Sequence, residues 1–397
     1  MRWTLAALAA VAMALPAHGR QQRQPAFARA LAPQPLRFPR DRGPHPDYRQ
    51  EWWYLTGNLD SSGGQRFGFE LTLFRFALAP GTPDPTLVSS RSGEESSPWR
   101  TRQIYLGHFA VTDVATHRFR FTTKLTGGAL GLAGAQADPF RVWIGNWQIG
   151  RSAAPAPSVP APAPVRAAAE STAAESAWQI QAAEDGYVLS LTARPLMAPV
   201  LNGERGLSRK SGEPGNATYY YSIPRIAVAG TLVRNAQRLQ VHGLAWLDRE
   251  WGSGGLGPQQ SGWDWFGLQL SDGSCLMFYS LRDRDGAQDP FSAGTWVDPA
   301  GHSRPLSRGD VRIEVLAHWT DPGGTRYPSR WRLVMPALGL DVTVSPVLAD
   351  QELVTSPRYW EGAVDVSGSR SGRTISGRGY VELVGYAGTT SGPAGIR

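Results

Sequence analysis

A chain of 397 residues with 41% hydrophobic and 18% charged residues carries enough apolar side chains to bury more than one core, which excludes a disordered protein. The net charge of +7 comes mostly from scattered arginines, with no dense basic run and no nucleic-acid-binding motif, so nucleic acid is rejected as a partner; attraction to an anionic surface stays open. Cys275 is the only cysteine, so no intramolecular disulfide can form and the cores alone must hold the fold.

Met1 to Gly19 reads as a signal peptide: Arg2 supplies the positive start, Trp3 to Leu15 is an apolar centre too short to span a bilayer, and Ala17-His18-Gly19 gives small residues for cleavage after Gly19. No cysteine lies nearby for lipid attachment. The mature chain is therefore expected in the periplasm or secreted, without a membrane anchor. Residues 20–44, polar and rich in Arg and Pro, read as a flexible leader.

Order is expected to begin near His45-Pro46-Asp47. Gln50 to Leu59 is a predicted strand with Trp52, Tyr54 and Thr56 on one face and Glu51, Trp53, Leu55 and Leu59 on the other. After the Ser61–Gly64 turn, Arg66 to Phe76 alternates again, with Phe67, Phe69, Leu71 and Leu73 on one side. Arg102 to Asp113, carrying His108, and Asp138 to Ile149 add further strands. Residues 151–177 are dominated by Ala and Pro, cannot bury a core, and read as an insertion. Strands resume at Trp178 and continue through the aromatic run Tyr219-Tyr220-Tyr221. No stretch outside the signal peptide holds a helical period over about 12 residues, so the chain is expected to be almost all-β. A faint repeat, Trp53-Tyr54 against Trp265-Phe266, suggests two similar β units.

Val241 to Leu270 concentrates the chemistry. As a strand it places His242, Leu244, Trp246, Asp248 and Glu250 on one face. A second strand places Asp264, Phe266, Leu268 and Leu270 on one face and Trp263, Trp265 and Gln269 on the other. Carboxyls among large aromatic rings are costly to bury, so the mix points to a site. The competing reading is structural: Asp248 and Glu250 pair with Arg249 or Arg225 at a rim, Glu51 and Glu361 accept buried N–H groups, and His108 is a hydrogen-bonded core histidine. No HxH, HExxH, paired-cysteine or GxSxG pattern occurs, so neither a metal site nor a serine-hydrolase elbow is expected.

In order along the chain stand His45-Pro46, Glu51-Trp52-Trp53-Tyr54, Phe67-Gly68-Phe69, Gly107-His108-Phe109, Tyr220-Tyr221-Ser222-Ile223-Pro224-Arg225, Trp246-Leu247-Asp248-Arg249-Glu250-Trp251, Gly262-Trp263-Asp264-Trp265 and Tyr359-Trp360-Glu361-Gly362. The set resembles the carotenoid 1,2-hydratase (hydroxyneurosporene synthase) and AttH-like lipocalin family, many of whose members carry a secreted-hydrolase label. The resemblance spans about residues 45–387. It implies an all-β fold of two tandem lipocalin-like (calycin) antiparallel β-barrels; the faint repeat sets the division, with an N-terminal domain over 45–245, interrupted by the 151–177 insertion, and a C-terminal domain over 246–390. It also implies an apolar ligand, a terpenoid, carotenoid or lipid, and in some members the addition of water to an isolated C=C bond. A cleaved signal would separate this chain from carotenoid synthesis at the inner membrane.

Such hydration needs a neutral carboxylic acid as proton donor and no cofactor. Asp248 and Asp264 are the candidate acids, and His242 is the candidate for orienting water, a role Tyr54 could share. Trp246 and Trp265 could stabilise a developing cation. The candidate ligand-binding set is Trp52, Tyr54, His108, Trp246, Trp251, Trp265, Tyr221 and Trp360. The alternative is a non-catalytic carrier of a lipid-like compound, working with a membrane transporter.

Overall fold

The computed structural model describes residues 26–81, 101–151, 177–184 and 186–387; the expected signal peptide and almost all of the Ala/Pro-rich insertion lie outside them. Strands dominate, and helical structure among the described residues is confined to three-residue 3-10 turns such as Arg40–Arg42. The first part of the chain supplies β1 (Gln50–Ser61), β2 (Arg66–Ala77), β3 (Gln103–Asp113), β4 (Arg118–Gly127), β5 (Ala133–Ala137), β6 (Phe140–Ile144), β7 (Trp147–Arg151), β8 (Trp178–Glu184), β9 (Tyr187–Pro195), β10 (Val200–Leu201), β11 (Leu207–Arg209), β12 (Ala217–Arg234) and β13 (Gln237–Gly252). The second supplies β14 (Gln260–Leu270), β15 (Cys275–Asp283), β16 (Ala293–Val297), β17 (Ser303–Ser307), β18 (Arg312–Thr320), β19 (Arg326–Met335), β20 (Leu340–Pro346), β21 (Glu352–Leu353), β22 (Tyr359–Arg370) and β23 (Arg373–Val384).

These form two curled, barrel-like antiparallel sheets. The first runs β4-β3-β2-β1-β13-β12-β9-β8-β7-β6-β5 and the second β17-β16-β15-β14-β23-β22-β20-β19-β18, with β10 and β11 on β12 and β21 on β22. In each, the opening strand pairs with the closing one, β1 with β13 and β14 with β23. The chain changes sheets between Gly252 and Gln260, so the division anticipated at 245/246 falls inside β13. The repeat seen in sequence matches the equivalent placement of β1 and β14, but its residue alignment inverts the faces. Trp53 fills the interior of the first sheet, whereas Trp265 lies outside the second.

Alternation sorts the side chains as the sequence suggested. Trp53, Leu55, Phe67, Phe69, Leu71 and Leu73 fill the first interior. Phe266, Leu268 and Leu270 fill the second, with Trp331 and Trp360. The opposite faces of the same strands meet in a third cluster between the sheets, which includes Tyr54, Tyr220, Trp246, Trp265, Tyr279 and Tyr380. Gly68 marks a close approach, since a Cβ there would stand 2.7 Å from the Ala363 Cβ and 2.6 Å from the Tyr380 hydroxyl.

The leader expected over 20–44 is packed where it is described. Ala30 and Asp41 are buried, the Tyr219 hydroxyl donates to Ala32 O at 2.8 Å, and the Trp53 indole donates to Arg42 O at 2.8 Å. The anchor is Glu51, fully buried. It pairs with Arg75 and Arg249, both also fully buried, and accepts the His45 N–H at 3.0 Å. Arg249 also lies 3.9 Å over the Trp53 ring and donates to Gly43 O at 2.6 Å, while Arg75 donates to His45 O at 2.8 Å. Composition concealed this order because the segment is held by its carbonyls, which every sequence has, and not by apolar periodicity.

Two arginines hold the Glu51 carboxyl well below its ordinary pKa of 4.5 against the cost of burial. Its stabilisation is therefore complete at neutral pH and is lost as pH falls below about 4.5 toward the depressed value. Glu51→Ala leaves two buried guanidinium groups unpaired and is expected to cost about 3–5 kcal/mol at pH 7. Urea unfolding should show this loss, with the gap to wild type narrowing below pH 4.

Candidate active site

The seam between the sheets contains a cavity walled by aromatic rings, among them Trp52, Phe74, Tyr220, Trp263, Trp265, Tyr279 and Tyr359. The polar residues on its wall include His108, Lys210, Asp248, Glu250 and Glu382. Register explains the gathering. Across the first sheet Ser222 faces Asp248, Asp248 faces Tyr54, Tyr54 faces Thr72 and Thr72 faces His108, a straight row over β12, β13, β1, β2 and β3. Across the second sheet Tyr279 faces Trp265, Trp265 faces Glu382 and Glu382 faces Glu361. Side chains in such rows share a face.

Hydrogen bonds tie the two rows together. The Tyr54 hydroxyl donates to Glu361 Oε1 at 2.7 Å, His108 Nδ1 lies 2.6 Å from the Tyr359 hydroxyl, and the Trp265 indole donates to the Tyr220 hydroxyl at 3.1 Å. Asp248 Oδ1 accepts from Ser222 Oγ at 2.5 Å and from the Trp246 indole at 2.7 Å, and Oδ2 lies 2.5 Å from the Tyr220 hydroxyl. The nearby cation Lys210 makes its ion pair with Glu250 and not with Asp248. Burial therefore outweighs these three donors and pushes the Asp248 pKa up to about 7. Glu382 accepts the Trp263 indole at 2.8 Å and is pushed up to about 8, first by burial. Glu361, behind Tyr54, is raised well above its ordinary range by burial and by Glu70 and Glu382. Glu250 has a cationic partner: Lys210 Nζ stands 2.8 Å from its Oε1, and Thr218 donates to the same oxygen. Burial drops His108 to about 4, so its imidazole is neutral at physiological pH.

The structure thus gathers Trp52, Tyr54, His108, Trp265 and Asp248 on one wall system, with Trp246 directly behind Asp248. It does not bring Asp264 or His242 to them. Asp264 lies on the other face of β14, paired with Arg282 at 2.7 Å and accepting from the Tyr386 hydroxyl at 2.9 Å. His242 is exposed and lines a separate groove with Asn58, Arg225 and Arg378. Trp251 and Tyr221 fill the interior of the first sheet and Trp360 that of the second, because alternation turns them away from the seam. Arg249 is likewise on the far face, so the pairing considered for Asp248 and Glu250 does not form with it, and Arg225 instead donates to Leu270 O at 3.0 Å.

Lys210, Glu382, Glu70, Tyr359 and Tyr279 were not singled out from sequence as site residues. One signal was available: Lys210 is one of only two lysines among 40 basic residues. Glu382 gave none beyond an acid in the short apolar run Tyr380–Val384. Among the described residues no group of three or more His, Cys, Asp or Glu side chains converges as a metal site would require.

The AttH-like family model matches residues 29–386, nearly the whole described chain. The chain belongs to the AttH-like family. A crystal structure assigned as AttH from Nitrosomonas europaea is 30% identical and superposes with a TM-score of 0.73, covering 91% of this chain and 100% of that one. Kievitone hydratase from Nectria haematococca shares the fold, with 16% identity and a TM-score of 0.61 over 91% of this chain and 98% of its own. The dehydratase asqC of Emericella nidulans is 22% identical over 232 residues, 52% of this chain, which spans 60% of that relative's length. In this AttH-like protein the lipocalin-like fold is thus accounted for on both sequence and structure.

The raised carboxyls carry a stability consequence. A folded-state pKa above the unfolded one means the native state binds the extra proton, so stability falls as pH rises from about 3.8 to about 7 for Asp248 and from about 4.5 to about 8 for Glu382. Asp248→Asn and Glu382→Gln are each expected to flatten the decline between pH 5 and 8, and the urea midpoint measured against pH reads this directly. Midpoints of the variants that track wild type across that range would mean that both acids are ionised in the fold.

Proposed function

We propose that this AttH-like chain adds water to, or removes water from, an apolar ligand held between its two sheets, with Asp248 exchanging the proton and no cofactor taking part. The observation that carries the reading is Asp248 itself: a carboxyl on the wall of an aromatic cavity, hydrogen-bonded by neutral donors, whose environment favours the protonated acid. Bearing on it too are a hydratase that shares the fold and a dehydratase of related sequence.

In the hydration direction the acid proton of Asp248 passes to one carbon of a C=C bond as the π bond breaks. The cationic carbon is held against the faces of rings such as Trp52 and Trp265. A water oxygen bonds to that carbon, and its surplus proton returns to the Asp248 carboxylate, so the enzyme ends as it began. Dehydration is the same sequence reversed. Tyr220 and Trp246 fix the carboxyl in one orientation, and Lys210 is occupied by Glu250, so it does not pair with Asp248. The ligand class is an apolar molecule, terpenoid-like or lipid-like, carrying an alkene or the corresponding alcohol. We place the chain outside the cytoplasm on the residues of its first 19 positions; among the described residues no helix is long and apolar enough to cross a membrane.

Native mass spectrometry of the protein from its own host, followed by solvent extraction, should recover two compounds differing by one water. Asp248→Asn is expected to keep the ligand and to slow their interconversion by about 10²–10⁴-fold. A bound phospholipid or fatty acid with no hydrated or dehydrated counterpart would replace the enzyme with a carrier.

A further inference from the structure

Asp248 and His108 both line the seam cavity. The two stand in the same cross-sheet row, three strands apart, which puts their backbones roughly 14 Å apart at the usual strand spacing. The side chains project from the outer faces of a curled sheet, so both cannot act on one carbon–carbon bond. His108 therefore has a different task from the proton exchange at Asp248.

Its surroundings define that task. His108 is 1% exposed, lines the cavity and packs edge-on against Phe74 at 5.3 Å. Nδ1 is held by the Tyr359 hydroxyl at 2.6 Å, and that hydroxyl is in turn 3.4 Å from Glu70 Oε1, which accepts Thr72 Oγ1 at 2.7 Å. Nε2 has no hydrogen-bond partner among the described residues. A buried nitrogen left unmatched is costly, and in a cavity wall a polar atom of a ligand can complete it. Everything else about the ring is fixed: Phe74 packs against it edge-on, one nitrogen is tied to Tyr359, and burial keeps it neutral.

We propose that His108 Nε2 is the recognition point for a hydroxyl group of the ligand, so that the substrate class is an elongated apolar molecule bearing a hydroxyl far from the bond that gains or loses water at Asp248. A hydroxyl fits because it both donates and accepts, and so satisfies Nε2 in either tautomer that Tyr359 imposes. A carboxylate does not, since a neutral imidazole offers no charge to offset its burial and Glu382 lies on the same wall. A hydrocarbon leaves Nε2 unmatched. The aromatic rings of the cavity wall, Trp52, Phe74, Trp263 and Trp265, would hold the apolar body.

The proposal rests on the seam cavity being the ligand site, but its test does not need turnover. Binding of 4-phenylphenol and of 4-methylbiphenyl, which differ by a hydroxyl in place of a methyl, is measured by tryptophan fluorescence and checked by calorimetry. Wild type should hold the phenol about tenfold more tightly, the worth of one buried hydrogen bond. His108→Phe should reduce that preference to within about twofold, and Asp248→Asn should leave it in place. Thermal melting confirms that each variant is folded, and His108→Gln, whose amide can still bond a hydroxyl, should restore part of the preference. A wild type that holds the phenol no better than the methyl compound, or that holds neither, overturns the proposal. So does a preference that survives His108→Phe and is lost in Asp248→Asn, which would put the hydroxyl at the acid. Loss of water transfer in Asp248→Asn with the preference unchanged, or the converse, separates the fate of this proposal from that of the proposed reaction.

Discussion

Strands buried on both faces are the constraint from which this structure follows. β1, β12 and β13 of the first sheet, and β14, β22 and β23 of the second, each turn one face into their own interior and the other into the seam. Where these strands are buried on both sides, neither face can discharge a polar side chain into water. Polar groups at the seam are therefore matched by one another, as in the Tyr54–Glu361 and Trp265–Tyr220 contacts, and a few atoms such as His108 Nε2 have no partner among the described residues. The close approach at Gly68 and the cross-sheet hydrogen bonds hold the seam in one geometry, so the cavity walls come from both halves of the chain.

Two carboxyls near one end of β1 and β13 show how finely this placement decides chemistry. Glu51 and Asp248 are both buried, and both belong to paired strands. Glu51 points inward to Arg75 and Arg249 and is ionised. Asp248 points to the seam, where it finds hydroxyls and an indole, and there the neutral acid is favoured up to about pH 7. The difference is the identity of the neighbours: guanidinium groups repay desolvation, and neutral donors repay only part of it. One carboxyl fixes the fold, and the other is available to exchange a proton.

Membership of the AttH-like family and the fold shared with a hydratase fix the scaffold, and a scaffold hosts many reactions. The seam of this chain holds an aromatic cavity with an acid hydrogen-bonded by neutral donors, a tethered neutral histidine, and a lysine paired with Glu250.

The sequence by itself determined the all-β class, the two-sided strands and which residues share a face. Those properties follow from the period of two within one strand, and they are local. It placed Trp246, Asp248 and Glu250 together, and Trp52 with Tyr54, as they are found. It also separated Asp264 from Trp265, and the structure sends those two to opposite faces of β14. Only the tertiary structure decided which face of each strand becomes the seam. It alone opposed Glu361 to Glu382, brought Lys210 from a short connecting strand region to Glu250, and tied residues 26–43 to the first sheet through backbone carbonyls. Those outcomes depend on register between strands far apart in the chain and on the packing of one sheet against another. Neither leaves a periodic trace in the residues, because a carboxyl opposite an arginine and a carboxyl opposite a tyrosine read alike along a single strand.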